Sequence, residues 1–123
     1  MCSGPSGTPR FIPSKISQLS TSLDVYWEPP PVSSINGEFL GYILSYRPGQ
    51  AVLRTKLEIR DESFKTQVYL FLHVLNIIIL PIFQNYSLTG LSRHTDYIVT
   101  VAARNLEGLG PEAIIELRTE DGG

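Results

Sequence analysis

The sequence holds little cysteine and little charge. Its one cysteine, Cys2, rules out a disulfide within the chain, so packing must stabilise the fold. Because a secreted domain of this size can fold without disulfides, the lack of cysteine leaves the cellular compartment open. Charged residues make up 18% of the chain, the net charge is −2 and the basic residues are scattered. This balance argues against nucleic acid or an anionic membrane surface as a partner.

The sequence also lacks the residue patterns that catalysis and metal binding require. Neither of its two histidines, His73 and His94, has a cysteine or another histidine at metal-ligand spacing. No Gly-rich phosphate loop follows a strand, and no nucleophile elbow occurs. The acidic residues are spread over loops and outward strand positions. We therefore expect a protein that is not an enzyme and that binds no cofactor and no metal.

The N-terminus has no long apolar run. Residues 1–12 contain no hydrophobic stretch of signal-peptide length, so we expect this chain to lack a signal peptide. The first ten residues are instead rich in Gly, Ser and Pro, which predicts a flexible linker over residues 1–12. A chain of 123 residues has room for one domain with a core of its own. We place that domain at residues 13–121, followed by a tail at 122–123.

Residues 86–105 contain a pattern of strand, tight turn and strand. Tyr86 and Leu88 alternate with polar residues, and a second alternating run follows Gly90. The spacing from Leu91 to Tyr97 is that of a tyrosine corner, in which the tyrosine hydroxyl bonds to upstream backbone. We therefore expect Tyr86 and Leu88 to point inward and the corner to hold the start of the second strand.

Five other segments show the same period of two. Three prolines after residue 28 end one of them, because proline has no N–H to donate to a neighbouring strand. The predicted strands are residues 15–20 with Ile16 and Leu19 inward, residues 23–28 with Leu23, Val25 and Trp27 inward, residues 41–47, residues 54–60 with Leu57 and Ile59 inward, and residues 113–119.

Together these strands resemble a fibronectin type III domain. Trp27 stands before three prolines, and Asn36-Gly37 precedes Gly41-Tyr42 at the spacing found in that family. Such phrases are similar to repeats of neuronal adhesion and guidance receptors and of receptor-type tyrosine phosphatases. The resemblance implies an all-β fold, a seven-stranded antiparallel β-sandwich of immunoglobulin-like type. It also implies a core that includes Trp27, Tyr42, Tyr46, Leu91 and Tyr97.

The resemblance implies a function as well. It points to a non-catalytic module in the extracellular part of a larger cell-surface adhesion or receptor protein, acting as a spacer and as a protein-binding surface. Neighbouring domains in tandem, unidentified protein partners and a monomeric isolated domain are expected, without nucleic acid or membrane insertion. The alternative is a structural module of a cytoplasmic muscle or cytoskeletal protein. The expected partner-binding loops contain Asn36, Gly37, Glu38, Leu106, Glu107, Gly108, Leu109 and Gly110.

Asn85, Tyr86 and Ser87 spell an N-glycosylation sequon. Since Tyr86 is expected to point inward, Asn85 should point outward, where it can accept a glycan in a secretory setting. Short sequons also arise by chance, so the motif alone does not decide. A glycan on Asn85 would distinguish the extracellular from the cytoplasmic alternative.

Residues 68–84 break the pattern. Thirteen of these seventeen residues are apolar and none is charged, yet they fall between the fourth and fifth predicted strands, where the family has a short connection. The short length, and His73, Asn76 and Pro81 within it, argue against a transmembrane helix. Two interpretations stay open: an inserted element that adds a strand or packs on an edge, and a retained in-phase intron. Two observations suggest the intron. Deleting the stretch joins Gln67 to Asn85 and leaves a junction that is ordinary for this family. In addition, valine codons begin with GT and one glutamine codon ends in AG, the nucleotides found at the two ends of an intron.

Overall fold

Alternating buried and exposed residues build two antiparallel β-sheets. The computed structural model describes residues 4–59 and 84–121. The alternation is clearest at Leu23, Val25 and Trp27, which have no exposed surface while their neighbours are half-buried. The strands are β1 (Arg10–Phe11), β2 (Ser17–Gln18), β3 (Leu23–Glu28), β4 (Phe39–Pro48), β5 (Thr55–Ile59), β6 (Gln84–Leu88), β7 (Asp96–Asn105), β8 (Gly108–Leu109) and β9 (Ala113–Arg118), and a 3-10 helix spans Val32–Ser34.

The first sheet is built around β3. Strand β6 pairs along one side of β3, from Leu23 opposite Leu88 to Trp27 opposite Gln84. On the other side, β1 pairs with the C-terminal end of β3 and β2 with its N-terminal end. One long edge of β3 is therefore shared by two short strands.

The second sheet is built around β4 and β7. Its order is β5, β4, β7 and β9, and the short β8 also pairs with β7 beyond the start of β9. The register of β4 and β7 runs from Phe39 opposite Asn105 to Pro48 opposite Tyr97. Counting β1 and β2 as one split strand, and β8 as part of the turn before β9, this is the predicted seven-stranded sandwich, and the predicted all-β fold is confirmed.

The core fills the space between the two sheets. The indole of Trp27 meets the ring of Tyr42 edge-on, with ring centroids 5.4 Å apart and an interplanar angle of 79°. Phe39 meets the same Tyr42 ring at 5.2 Å. Of the predicted core residues, the structure buries Trp27, Tyr42, Leu91 and Tyr97, whereas Tyr46 is half-buried and packs against them.

A tyrosine corner holds the entry to β7. The Tyr97 hydroxyl accepts a hydrogen bond from the backbone N–H of Ser92 at 2.8 Å, and both Leu91 and Tyr97 are buried. The same turn is tied to the C-terminal end of β9, because the Thr119 hydroxyl donates to the Ser92 carbonyl at 2.6 Å. The spacing seen in the sequence thus corresponds to the expected hydrogen bond to upstream backbone.

The N-terminal part differs from the prediction. Strand β1 lies within the residues predicted as a linker, pairs with β3 and buries Phe11, so the folded unit begins before residue 13. A turn follows, in which the N–H of Lys15 donates to the carbonyl of Ile12. This turn takes up the beginning of the predicted strand 15–20. Only β2 remains of that strand, and Leu19, predicted inward, is 47% exposed because β2 has already ended there.

Strand β6 has the predicted phase. The register places Tyr86 opposite the buried Val25, on the inward phase that the sequence predicts. The side chain of Tyr86 still keeps 37% of its surface exposed, whereas Leu88 is buried. Residues 68–83 of the apolar stretch lie outside the described residues, and Gln84 is the first residue of β6. In the described parts of the chain, no helix has the length and apolar character needed to cross a membrane.

Candidate binding surface at the loop end

The predicted partner-binding loops meet at one end of the sandwich, which we call the loop end. It comprises residues 35–38, before β4, and residues 106–110, which follow β7. Asn36 and Gly37 both adopt positive φ angles, of 59° and 145°, as the Asn-Gly turn signal predicts. The second loop is a tight hairpin in which Gly108 pairs with Asn105 across two turn residues.

Asn105 joins the two loops. Its side chain is buried, and its Nδ2 donates to the carbonyl oxygens of Ile35 at 2.8 Å and Asn36 at 3.3 Å. Its Oδ1 accepts from the backbone N–H groups of Glu107 at 2.8 Å and Gly108 at 3.1 Å. One amide therefore satisfies backbone groups of both loops, and the loop end forms a single connected surface.

Sequence reasoning missed the role of Asn105. The alternation predicts only that Asn105 ends a strand, and nothing in the neighbouring sequence indicates which distant carbonyls its amide reaches. A local signal did exist, because asparagine two residues before a turn N–H is typical of an Asx turn. That signal predicts the bond to Glu107 but not the bonds to the other loop.

The surface that faces outward at the loop end is apolar and acidic. Leu106 is 67% exposed and Leu109 is 50% exposed, and both lie on the tight hairpin. Glu38 and Glu107 are exposed on the two loops. Two leucines held on a fixed backbone beside two carboxylates suit a partner surface that offers an apolar patch flanked by basic groups.

The outer face of the second sheet is a weaker candidate. Arg54 pairs with Glu112 at 2.8 Å, and Arg104 forms an ion pair with Glu58. Glu112 also accepts from the Thr100 hydroxyl at 3.1 Å. Partly exposed pairs of this kind contribute about 0–1 kcal/mol, and here they satisfy one another within the sheet. In the described residues, no group of three or more His, Cys, Asp or Glu side chains is arranged to hold a metal ion.

The predicted glycosylation site lies on the other sheet. Asn85 is exposed on β6 and stands opposite Tyr26 of β3. The hydroxyl of Ser87, the third residue of the sequon, donates to Oδ1 of Asp24 at 2.7 Å. The sequon is therefore on the outward face of the first sheet, not on the two loops.

Comparison with known proteins adds the family. The profile of the fibronectin type III domain matches residues 8–116. Putative receptor-type tyrosine-protein phosphatase mosPTP-1 of Aedes aegypti is 28% identical over 106 residues, which cover 84% of this chain and 7% of that protein. Protein sidekick-2 of Gallus gallus is 32% identical over 109 residues, which cover 89% of this chain and 4% of that protein. Cell adhesion molecule Dscam1 of Drosophila melanogaster is 33% identical over 112 residues, which cover 87% of this chain and 5% of that protein.

Solved structures agree on the fold. The third fibronectin III domain of human KIAA0343 protein matches with a TM-score of 0.68 at 20% identity, covering 100% of this chain and 89% of that chain. The FN1–FN3 domains of chicken CNTN1 match with a TM-score of 0.62 at 17% identity, covering 94% of this chain and 33% of that chain. This chain spans 7% or less of the three relatives above, as a single module of a longer protein would. With the domain profile matched over most of its length and the same fold in solved domains, the chain belongs to the fibronectin type III family.

Proposed function

We propose that this chain is a spacer and protein-binding module of a larger cell-surface adhesion or receptor protein, without catalytic function of its own. Support comes from relatives whose names denote a receptor-type phosphatase and a cell adhesion molecule, and from the small share of each that the chain matches. A phosphatase activity of such a relative need not reside in its type III modules, and no motif for catalysis occurs in this sequence.

The spacer role follows from where the chain enters and leaves. The N-terminal residues lie at the loop end, where the N–H of Ser6 donates to the carbonyl of Ser34. The C-terminal residues lie at the opposite end, where the N–H of Thr119 donates to the carbonyl of Thr95. These ends are separated by the length of β7, ten residues or about 30 Å. A module of this kind can be placed in tandem with others and sets their spacing.

The binding role rests on one observation, the joined loop end with its exposed Leu106 and Leu109. Because Asn105 fixes the hairpin backbone, a partner would not have to order this loop on binding, and the entropic cost of association falls. The partner best suited to the surface is a protein that offers an apolar patch with lysine or arginine at its rim.

Replacing Leu106 and Leu109 with serine should weaken adhesion by the parent protein. In an aggregation assay of cells that display the full parent protein, we expect at least a fivefold fall in aggregate formation, as for the loss of two central apolar contacts. The control is Leu53→Ser, which changes a leucine that is 87% exposed and lies between β4 and β5, away from the loop end. Equal aggregation by the double variant and the control would overturn the binding role of the loop end.

The cell-surface assignment predicts a glycan on Asn85. When the parent protein is isolated from its native cells, glycosidase treatment should shift a peptide containing Asn85 by the mass of an N-linked glycan, and Asn85→Gln should remove that shift. Asparagine and glutamine are both polar and position 85 is exposed. The substitution should therefore change the free energy of unfolding by no more than about 0.5 kcal/mol. An unmodified Asn85 in the native protein would favour the cytoplasmic alternative.

A further inference from the structure

Residues 4–9, which we call the strap, cross the loop end before β1 begins. Pro5 and Pro9 are buried although the segment has the composition of a linker. The backbone N–H of Ser6 donates to the carbonyl of Ser34 at 2.8 Å, and Nδ2 of Asn36 donates to the carbonyl of Gly4 at 3.1 Å. Ser34, at the end of the 3-10 helix, and Asn36, on the first loop, thus both bind the backbone of the strap.

Glycines on both partners make this approach possible. A Cβ built on Gly110 would lie 2.7 Å from the carbonyl oxygen and 2.9 Å from Cβ of Pro5. A Cβ on Gly7 would collide with the Ser34 hydroxyl and lie 2.9 Å from Cβ of Pro30, and one on Gly4 would lie 3.0 Å from the Leu109 carbonyl oxygen. The strap and the hairpin therefore fit together only because side chains are missing at the contact.

The strap is also connected to the tip of the hairpin. Gly4 is bound by the side chain of Asn36, whose own carbonyl accepts from Asn105, and Asn105 in turn accepts from the N–H of Glu107. This line of hydrogen bonds runs from the entering chain to the residues that we propose as the contact surface.

We propose that the groove between the two loops is a docking site for the strap, so that the chain enters the module through a fixed joint rather than a flexible linker. The occupant of the groove is residues 4–9 of this chain, which contact the loops through backbone groups and bury two prolines, Pro5 and Pro9. This inference stands apart from the proposed binding function, because it concerns contacts within the chain.

Backbone ¹⁵N relaxation and amide hydrogen exchange on the full chain test the joint. In the native protein, the order parameters of Ser6 and Gly7 should match those of the strands, at about 0.85, and the Ser6 amide should exchange at least about tenfold more slowly than in a free peptide. An order parameter below about 0.6 at these two residues would overturn the proposal, because a free linker gives that value.

Gly110→Ala adds one methyl group where the Pro5 carbonyl lies. We expect the Ser6 amide to exchange about tenfold faster in this variant, while the amide of Val101 in β7 keeps its protection. Gly49→Ala is the matched control, since its Cβ would meet nothing closer than 3.7 Å and Ser6 exchange should not change. Asn36→Gly, which keeps the positive φ but removes the bond to Gly4, should act in the same direction as Gly110→Ala. Unchanged Ser6 exchange in both test variants would show that the contacts do not hold the strap.

Discussion

Replacing Trp27 with alanine should lower the free energy of unfolding by about 3–5 kcal/mol, the usual cost of deleting a large buried aromatic side chain. Trp27 has no exposed surface and stands at the centre of the core, edge-on to Tyr42 and opposite Phe11 of β1. Both sheets therefore lose contacts to one substitution. Cys2 is the only cysteine, so no disulfide within the chain can offset the lost packing energy.

Equilibrium unfolding in urea measures this effect. Domains of this size have a total stability of about 5–15 kcal/mol, so the loss expected for Trp27→Ala is a substantial part of the whole. Trp27→Phe is the matched variant: it keeps an aromatic ring beside Tyr42 and should cost clearly less. A loss below about 1 kcal/mol for the alanine variant would contradict the central position that the structure gives to this residue.

Deleting residues 68–84 should raise the soluble yield several-fold while the folded module is kept. The reason lies in composition, because seventeen uncharged residues of which thirteen are apolar form an aggregation-prone segment. The deletion does not alter the sequence of β6. Gln67 then precedes Asn85 and supplies the same residue type as Gln84, which pairs with Trp27 at the start of that strand.

Side-by-side expression of the full chain and the deletion variant tests this prediction, with the soluble fraction, the melting temperature and a proton–nitrogen correlation spectrum as measurements. A dispersed β-type spectrum is expected for the deletion variant. Ile78→Lys provides a second comparison, since it keeps the length and adds a charge within the apolar stretch. Equal solubility and melting temperature for all three proteins would contradict the prediction and favour an inserted element that belongs to the fold.

The strands that alternate strictly were predictable from the sequence. The inward positions of β3 and β5, and the tyrosine corner at Tyr97, depend on spacing along a few residues, and such local patterns are visible in one chain. Leu19 was misjudged because alternation indicates which side a residue faces but not where the strand stops. The phase of Tyr86 agrees with the register, but alternation does not indicate how far neighbouring groups cover a side chain, and this one is 37% exposed.

The loop end was only half predictable. The turn-forming residues predict one loop at Asn36 and Gly37 and another at Gly108 and Gly110. The family resemblance predicts that these two loops lie at the same end of the sandwich. The contacts that connect them involve residues far apart in the chain, such as Asn105 with Ile35 and Ser6 with Ser34. Composition also misled at the N-terminus, because Gly, Ser and Pro are typical of linkers and equally suit a segment that must approach another backbone closely.

The clamp formed by Asn105 separates the shape of the hairpin from the identity of its outward residues. Its amide fixes the turn through backbone N–H groups of Glu107 and Gly108, so the side chains of Leu106 and Glu107 are free of any task in holding that backbone. Substitutions at these two positions would therefore change the outward side chains of the hairpin while its backbone is kept. A combinatorial library randomised at the same positions would vary the surface of the loop without changing its fold.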